Sequence, residues 1–307
     1  MTSESARRFV PPELPPSVRE LYPFESHYTQ INGRWVHCVD EGEGDSIVLL
    51  HGNPTWSFLY RDFIPRLSQR FRVIAPDYVG FGLSEKPADE AAYSLENHIA
   101  MLTALLDGLR VDNVTLVMQD WGGPIGLGYA LRRRERMRSL VIMNTWAFTD
   151  ASRFHRGAYP WRLLHAPVFG QLLLKRRDLM VEANLAMGTV HRERIAGAVL
   201  EAYRLPFPNY DSRTGMLAFP RSIPLKPGDA AYDTIASIER SLPDLRLPAK
   251  VMWGEQDIVF PVEFAHKFCE MLPLAGPPHV IREAGHFLQE DAPEEITDEI
   301  LSFLERG

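Results

Sequence analysis

The sequence predicts an α/β fold in which helices flank a mostly parallel central sheet and a helical lid is inserted at one connection. Three observations support this class. Short apolar runs of strand length alternate with segments of helical periodicity along much of the 307 residues, as is typical of parallel sheets. The alternation stops between residues 146 and 245 and then resumes. Polar, glycine-containing segments follow several apolar runs, where open α/β sheets carry their ligand sites.

The elements, taken in order, predict an antiparallel opening followed by buried parallel strands. Residues 26–31 and 35–40 alternate as paired strands do, and Asn32-Gly33 between them is a typical hairpin turn. Continuous apolar runs predict strands that are buried on both faces. These runs lie at 47–50, 71–75, 115–118 and 139–143, with helices expected at 98–109 and 125–131. Strands at 250–253 and 279–282 and an amphipathic helix at 293–304 close the chain.

The interrupted region predicts a lid. It is rich in aromatic residues and arginine, and it has helix-like stretches around 163–174 and 194–203. A structureless loop of that length is rare inside a compact domain. We therefore expect a core in two parts, residues 1–145 and 246–307, with a helical lid at 146–245.

Composition excludes several classes of function. A net charge of −7 gives no reason to expect nucleic acid or an anionic membrane as partner. Cys38 and Cys269 are far apart and have no metal-ligand spacing, and Gly80 and Gly82 lack the third glycine of a dinucleotide-binding loop. We expect neither a metal nor a cofactor. The polar N-terminus and the absence of a long apolar run predict a soluble cytoplasmic protein.

Asp120 is the candidate nucleophile. The strand-like run 115–118 ends at Gln119-Asp120, and Trp121-Gly122-Gly123 leads at once into a helix. This strand, tight turn and helix is the geometry that exposes a nucleophile above the sheet. A carboxylate is already ionised at neutral pH and attacks carbon directly, which gives an ester that a second step must hydrolyse. The alternative is that Asp120 only caps the helix.

Asp257 and His286 complete a candidate triad. Each follows a predicted strand, in the order nucleophile, acid, histidine that is typical of the α/β-hydrolase fold. His286 would deprotonate water in the second step, and Asp257 would orient the imidazole. Either residue alone is also explained as a turn or core residue, but the three together are much more specific.

Asn53 and Trp121 are candidates for binding charge that develops during the reaction. Their backbone N–H groups are expected to form the oxyanion hole. Their side chains supply two further neutral donors beside Asp120, which suit a leaving anion such as halide. The alternatives are a packing role for Trp121 and a turn role for Asn53.

These motifs resemble the haloalkane dehalogenase family. The resemblance rests on Gln-Asp-Trp-Gly-Gly-Pro at 119–124 and His-Gly-Asn-Pro-Thr-Trp at 51–56, and it extends over nearly the whole chain, including 76–82 and 201–208 in the lid. It implies that Asp120 is the nucleophile, His286 the base and Trp121 a halide ligand. One subgroup has its acid where this chain has Asn144, which points to Asp257 instead. The combination of Asn53 and Asp257 is similar to a third subgroup in which self-association is common, so a homo-oligomer is possible and the oligomeric state stays open.

The resemblance implies hydrolysis of small halogenated hydrocarbons to a primary alcohol, halide and a proton, through an alkyl-aspartate ester that water hydrolyses. Two alternatives stay open. An epoxide hydrolase would use the same Asp120 nucleophile with hydroxyls of lid tyrosines, for which Tyr159, Tyr203 and Tyr210 are candidates. A non-catalytic ligand-binding homologue would keep the fold without turnover.

Overall fold

The central sheet runs through the whole molecule. The computed structural model describes residues 9–149 and 179–306. Within them, eight strands form one sheet in the order β1-β2-β4-β3-β5-β6-β7-β8. The strands are β1 His27–Ile31, β2 Arg34–Glu41, β3 Ser46–Leu50, β4 Arg72–Pro76, β5 Val114–Asp120, β6 Met137–Thr145, β7 Ala249–Gly254 and β8 His279–Ile281. β1 and β2 pair antiparallel, and every pairing from β4 to β8 is parallel. The predicted fold class is confirmed.

The strands form where the sequence predicts them, for the predicted reason. All residues of β3 and β5 are buried, as expected for parallel strands covered on both faces. The opening hairpin turns at Asn32 and Gly33, whose φ angles of 49° and 77° are those of a tight hairpin turn.

Helices cover both faces of the sheet. Their bounds are α1 Pro16–Leu21, α2 Ile64–Leu67, α3 Leu95–Gly108, α4 Gly122–Arg132, α5 Leu179–Gly188, α6 Ala198–Arg204, α7 Thr214–Arg221, α8 Tyr232–Ser241, α9 Glu263–Met271, α10 Leu288–Asp291 and α11 Pro293–Arg306. α3 begins earlier than its apolar spacing predicts because Ser94 caps it by accepting from the Asn97 N–H. The described helices include none that is long and apolar enough to cross a bilayer.

The region between β6 and β7 is helical where it is described. Residues 179–248 contain α5 to α8 and no strand. The predicted helix around 163–174 lies outside the described residues, as does Tyr159. The division into residues 1–145, 146–245 and 246–307 therefore stays a prediction.

The turn from β5 to α4 is packed through glycine. A Cβ on Gly122 would lie 2.3 Å from the Leu50 carbonyl oxygen, and one on Gly123 would lie 2.0 Å from the Thr145 hydroxyl. Met118 occupies the position where elbow patterns prefer glycine, and its sulfur fits because it faces Gly126, whose Cβ would be 2.5 Å away. The helix therefore sits directly on the strand ends that carry the candidate site.

Candidate active site

Asp120 is held in one orientation by its surroundings. It has a φ of 51°, an uncommon value for a residue other than glycine, and it is 6% exposed. A Cβ on Gly52 would lie 2.2 Å from Asp120 Oδ1, so only glycine leaves room for the carboxylate. The Asn53 backbone N–H donates to Oδ1 at 2.7 Å, and the Trp121 backbone N–H also donates to the carboxylate. Both predicted oxyanion donors thus lie against Asp120.

The electrostatics of Asp120 balance two opposing effects. Burial raises the pKa of its carboxyl above the ordinary value, because the charged form loses water. His286 and the N–H groups of Asn53 and Trp121 favour the ionised form and oppose this rise. The carboxylate is therefore desolvated but hydrogen-bonded, which is suitable for attack on carbon.

His286 lies between the two acids. Its Nδ1 is 3.0 Å from Asp257 Oδ2, and its Nε2 is 3.7 Å from Asp120 Oδ2. With Nδ1–H donating to Asp257, Nε2 is the unprotonated acceptor, and it lies 3.2 Å from the Gln119 amide nitrogen and 3.7 Å from Asp120. Burial disfavours the imidazolium, but Asp257 and then Asp120 outweigh it, so the pKa of His286 is raised.

Asp257 is itself fixed by the loop after β7. Its Oδ1 accepts from the backbone N–H groups of Val259 and Phe260, at 2.6 and 3.0 Å. The other oxygen is left for His286. The sequence-predicted acid is therefore hydrogen-bonded to the predicted base, and the predicted nucleophile lies 3.7 Å beyond the base.

Asn53 and Trp121 contact Asp120 through their backbone N–H groups, and the contacts of their side chains are with other groups. The Trp121 ring stacks on Phe219 with centroids 4.6 Å apart, and it meets Trp146 edge-on at 4.8 Å. These contacts fix the indole plane. The Asn53 side-chain oxygen is buried and has no partner among the described residues.

Two residues that the sequence analysis did not assign to the site support the histidine turn. Gln119 Nε2 lies 3.2 Å from both His286 Nε2 and the His286 carbonyl oxygen. Asn144 Nδ2 donates to the Gly285 carbonyl at 2.7 Å, while its Oδ1 accepts from the Gly254 N–H at 2.9 Å. Gln119 and Asn144 lie near the carboxyl ends of β5 and β6, and this position is the one feature of the sequence that could have predicted their place in the site. In the described ranges, no group of three or more His, Cys, Asp or Glu side chains forms a metal site.

The tyrosines of the predicted lid give little support to epoxide activation. Tyr203 is buried, and its hydroxyl donates to Glu290 Oε1. Tyr210 is 43% exposed. Tyr159 lies outside the described residues.

Comparison with known proteins agrees with this geometry. The family model for the alpha/beta hydrolase fold matches residues 45–293. Haloalkane dehalogenase 2 of Mycobacterium tuberculosis is 39% identical over 287 residues, which cover 92% of this chain and 96% of the relative. The chain belongs to the haloalkane dehalogenase family.

Two further similarities bear on what this family member does. A cis-3-alkyl-4-alkyloxetan-2-one decarboxylase of Shewanella oneidensis is also 39% identical over 287 residues, which cover 92% of this chain and 89% of that protein. A tetrameric haloalkane dehalogenase from Paraglaciecola agarilytica aligns with a TM-score of 0.80 and 26% identity, covering 95% of this chain and 97% of that chain.

Proposed function

We propose that this enzyme is a haloalkane dehalogenase that hydrolyses carbon–halogen bonds through a covalent ester on Asp120. One observation carries the proposal. The Asn53 N–H holds Asp120 Oδ1 at 2.7 Å, whereas Oδ2 faces His286 Nε2 at 3.7 Å. Oδ1 is thus anchored, and Oδ2 lies on the side of the base, from which we propose that it attacks.

In the first step, Asp120 Oδ2 attacks the carbon that bears the halogen. A carbon–oxygen bond forms, and the carbon–halogen bond breaks with its electron pair leaving on the halide. The indole N–H of Trp121 and the side-chain amide of Asn53 would bind this halide. They stabilise charge that appears only as the bond breaks, and such stabilisation accelerates the reaction. Terminal bromo- and iodoalkanes should therefore react faster than chlorides, whose leaving group is poorer.

In the second step, His286 Nε2 takes a proton from water, and the hydroxide adds to the carbonyl carbon of the ester. The resulting oxyanion at Oδ1 is stabilised by the backbone N–H groups of Asn53 and Trp121. Collapse breaks the bond between the carbonyl carbon and the former Oδ2, and the leaving alkoxide takes the proton from the His286 imidazolium to give a primary alcohol. The carboxylic acid that remains loses its own proton, which restores the carboxylate. Asp257 stabilises the imidazolium while it exists. Across both steps, one haloalkane and one water give one alcohol, one halide ion and one proton.

The His286→Ala variant tests the two-step assignment. It should release about one bromide per active site from a terminal bromobutane and then stop, because only the second step needs the base. Intact-protein mass spectrometry should find the butyl group on Asp120. Asp120→Ala is the control and should release no bromide. A His286→Ala variant that releases no bromide at its first turnover contradicts the mechanism.

The Shewanella relative favours one second candidate, the decarboxylation of a cis-3,4-dialkyloxetan-2-one to an alkene and carbon dioxide. Such a lactone has a ring oxygen as leaving group, and the donors proposed for halide would also suit a developing carboxylate. Incubation with both substrate classes separates the two. Bromide with alcohol supports the dehalogenase, and alkene without bromide supports the decarboxylase.

The remaining two alternatives are tested in the same way. Formation of a diol from styrene oxide would support the epoxide hydrolase. Tight binding of these compounds without any product would support the non-catalytic homologue.

We also propose that the protein self-associates and acts in the cytoplasm. The tetrameric structural neighbour supports association, and the free thiols of Cys38 and Cys269 are typical of a reducing compartment. Light scattering after size-exclusion chromatography measures the association state.

A further inference from the structure

Asp291, at the end of α10, connects the turn of the candidate base to the lid. Its Oδ2 accepts from the Gly285 N–H at 2.8 Å, directly before His286. On the lid side, the N–H of Val190 lies 3.0 and 3.1 Å from its two oxygens, and the N–H of His191 donates to Oδ1 at 2.8 Å. One buried carboxylate thus holds three backbone donors from two separate parts of the chain.

The two backbones that Asp291 joins are in direct contact. The Phe287 N–H donates to the Gly188 carbonyl at 2.9 Å. A Cβ on Gly285 would lie 2.5 Å from that same oxygen, and a Cβ on Gly188 would lie 3.2 Å from the His286 Cβ. The lid segment 188–191 therefore packs against the turn of the base with no space between them.

The contacts of Asp291 differ in kind from the other supports of His286. Asp257 orients the imidazole ring through Nδ1. Gln119 and Asn144 hold carbonyl groups of the turn from the sheet. Several described side chains form hydrogen bonds with this turn. Among them, only Asp291 also accepts hydrogen bonds from backbone N–H groups of segment 188–191. Bonds from N–H groups to a carboxylate are charge-assisted and short, so its loss should loosen both partners together.

We propose that Asp291 is a positioning residue for the hydrolytic step, which fixes the turn of His286 against lid segment 188–191. This inference rests on the proposed function, because it assigns Asp291 to the second of its two steps. Alkylation uses Asp120, Asn53 and Trp121 but does not use His286. Hydrolysis requires His286 Nε2 to face a water correctly, and a misplacement of about 1 Å costs about 100-fold in rate.

The Asp291→Asn variant is the test. Asparagine has nearly the size of aspartate, but its NH₂ group is a donor and cannot accept from a backbone N–H. The variant therefore loses the bonds either to Gly285 or to Val190 and His191. With a terminal bromobutane, the first bromide should be released within about twofold of the wild-type rate. Steady-state turnover should fall between about 10-fold and 100-fold, and mass spectrometry during turnover should find most of the enzyme alkylated. Asp298→Asn, on the exposed side of α11, should behave as wild type.

A purely structural role predicts a different result. It would reduce the number of active sites, and so the amount of first-turnover bromide, while the alkylated share of the active enzyme stayed at the wild-type level. That outcome overturns the inference. No bromide from the wild type would instead refute the proposed function itself.

A second pair of variants tests the lid side even if Asp291→Asn does not fold. The φ of His191 is −84°, close to the value that proline requires. His191→Pro removes the N–H that bonds Asp291, whereas His191→Ala keeps it. The proline variant should accumulate alkylated enzyme and turn over at least about threefold more slowly than the alanine variant. Equal turnover and equal alkylation in the two variants would overturn the inference.

Discussion

A buried ion pair and a tyrosine hydroxyl join three separate parts of this molecule. The loss of stability on removing one charge of the pair can be estimated. The Arg61 guanidinium donates to both oxygens of Glu290, at 2.6 and 2.7 Å, and the Tyr203 hydroxyl donates to Glu290 as well. Arg61 precedes α2, Tyr203 lies in α6, and Glu290 follows His286 in α10. The Arg61 guanidinium also stacks over the Phe58 ring at 4.5 Å. Arg61 and Glu290 are both buried.

Glu290→Gln should lower the free energy of unfolding by about 3 kcal/mol. Removing one charge of a buried pair costs about 3–5 kcal/mol, because the other charge remains desolvated. Glutamine keeps one oxygen that still accepts from the Arg61 guanidinium, which places the expected loss at the lower end of that range. At about 2 °C per kcal/mol for a chain of this size, the melting temperature should fall by about 6 °C.

Urea denaturation followed by tryptophan fluorescence measures this loss. Asp298→Asn is the matched control, since it breaks an ion pair with Arg66 whose side chains are 67% and 36% exposed. Exposed pairs contribute about 0–1 kcal/mol. If Glu290→Gln costs no more than Asp298→Asn, the buried pair does not connect these segments as argued.

Two further predictions concern pH and packing. The raised pKa of His286 means that the base becomes protonated at a higher pH than an ordinary histidine, so steady-state turnover should fall as pH decreases through that pKa. The first bromide is released without the base, so its acid limb should follow the carboxyl of Asp120, whose pKa burial raises, and should not coincide with that of turnover. Coincident acid limbs in stopped-flow and steady-state data would contradict this. Gly122→Ala should destabilise the fold by about 1–3 kcal/mol and abolish activity, because the new Cβ meets the Leu50 backbone at 2.3 Å, whereas Gly108→Ala, with open space around it, should be neutral or stabilising by thermal melting.

The sheet and the triad positions were predictable because both depend on local patterns. Apolar runs ending in polar residues predict the carboxyl edge of a parallel sheet, and that edge brings Asp120, Asp257 and His286 together although they are distant in sequence. The same reasoning predicts the turn that contains Gly122 and Gly123, and in the structure these glycines lie close to Leu50 and Thr145.

The supporting contacts could not be predicted because they depend on which segments meet in three dimensions. Nothing local distinguishes Asp291 from another acid near the start of a helix, yet it bonds backbone groups about 100 residues away, as its spacing to His191 shows. The sequence offers Tyr203 as a candidate for substrate activation, whereas in the structure its hydroxyl donates to Glu290. The room that Gly126 provides for Met118 likewise follows from the packing of a helix on a strand.

The anchoring of one Asp120 oxygen has a consequence for the identity of its atoms. Oδ1 stays with the Asn53 N–H, whereas Oδ2 is the oxygen that bonds to substrate carbon in the proposed cycle. When the ester is hydrolysed, the former Oδ2 departs as the alcohol oxygen, and an oxygen from water takes its place. The first alcohol that each molecule makes therefore contains an oxygen acquired when the protein was synthesised. From then on, one oxygen of Asp120 is renewed with every substrate molecule, while its neighbour lasts as long as the protein.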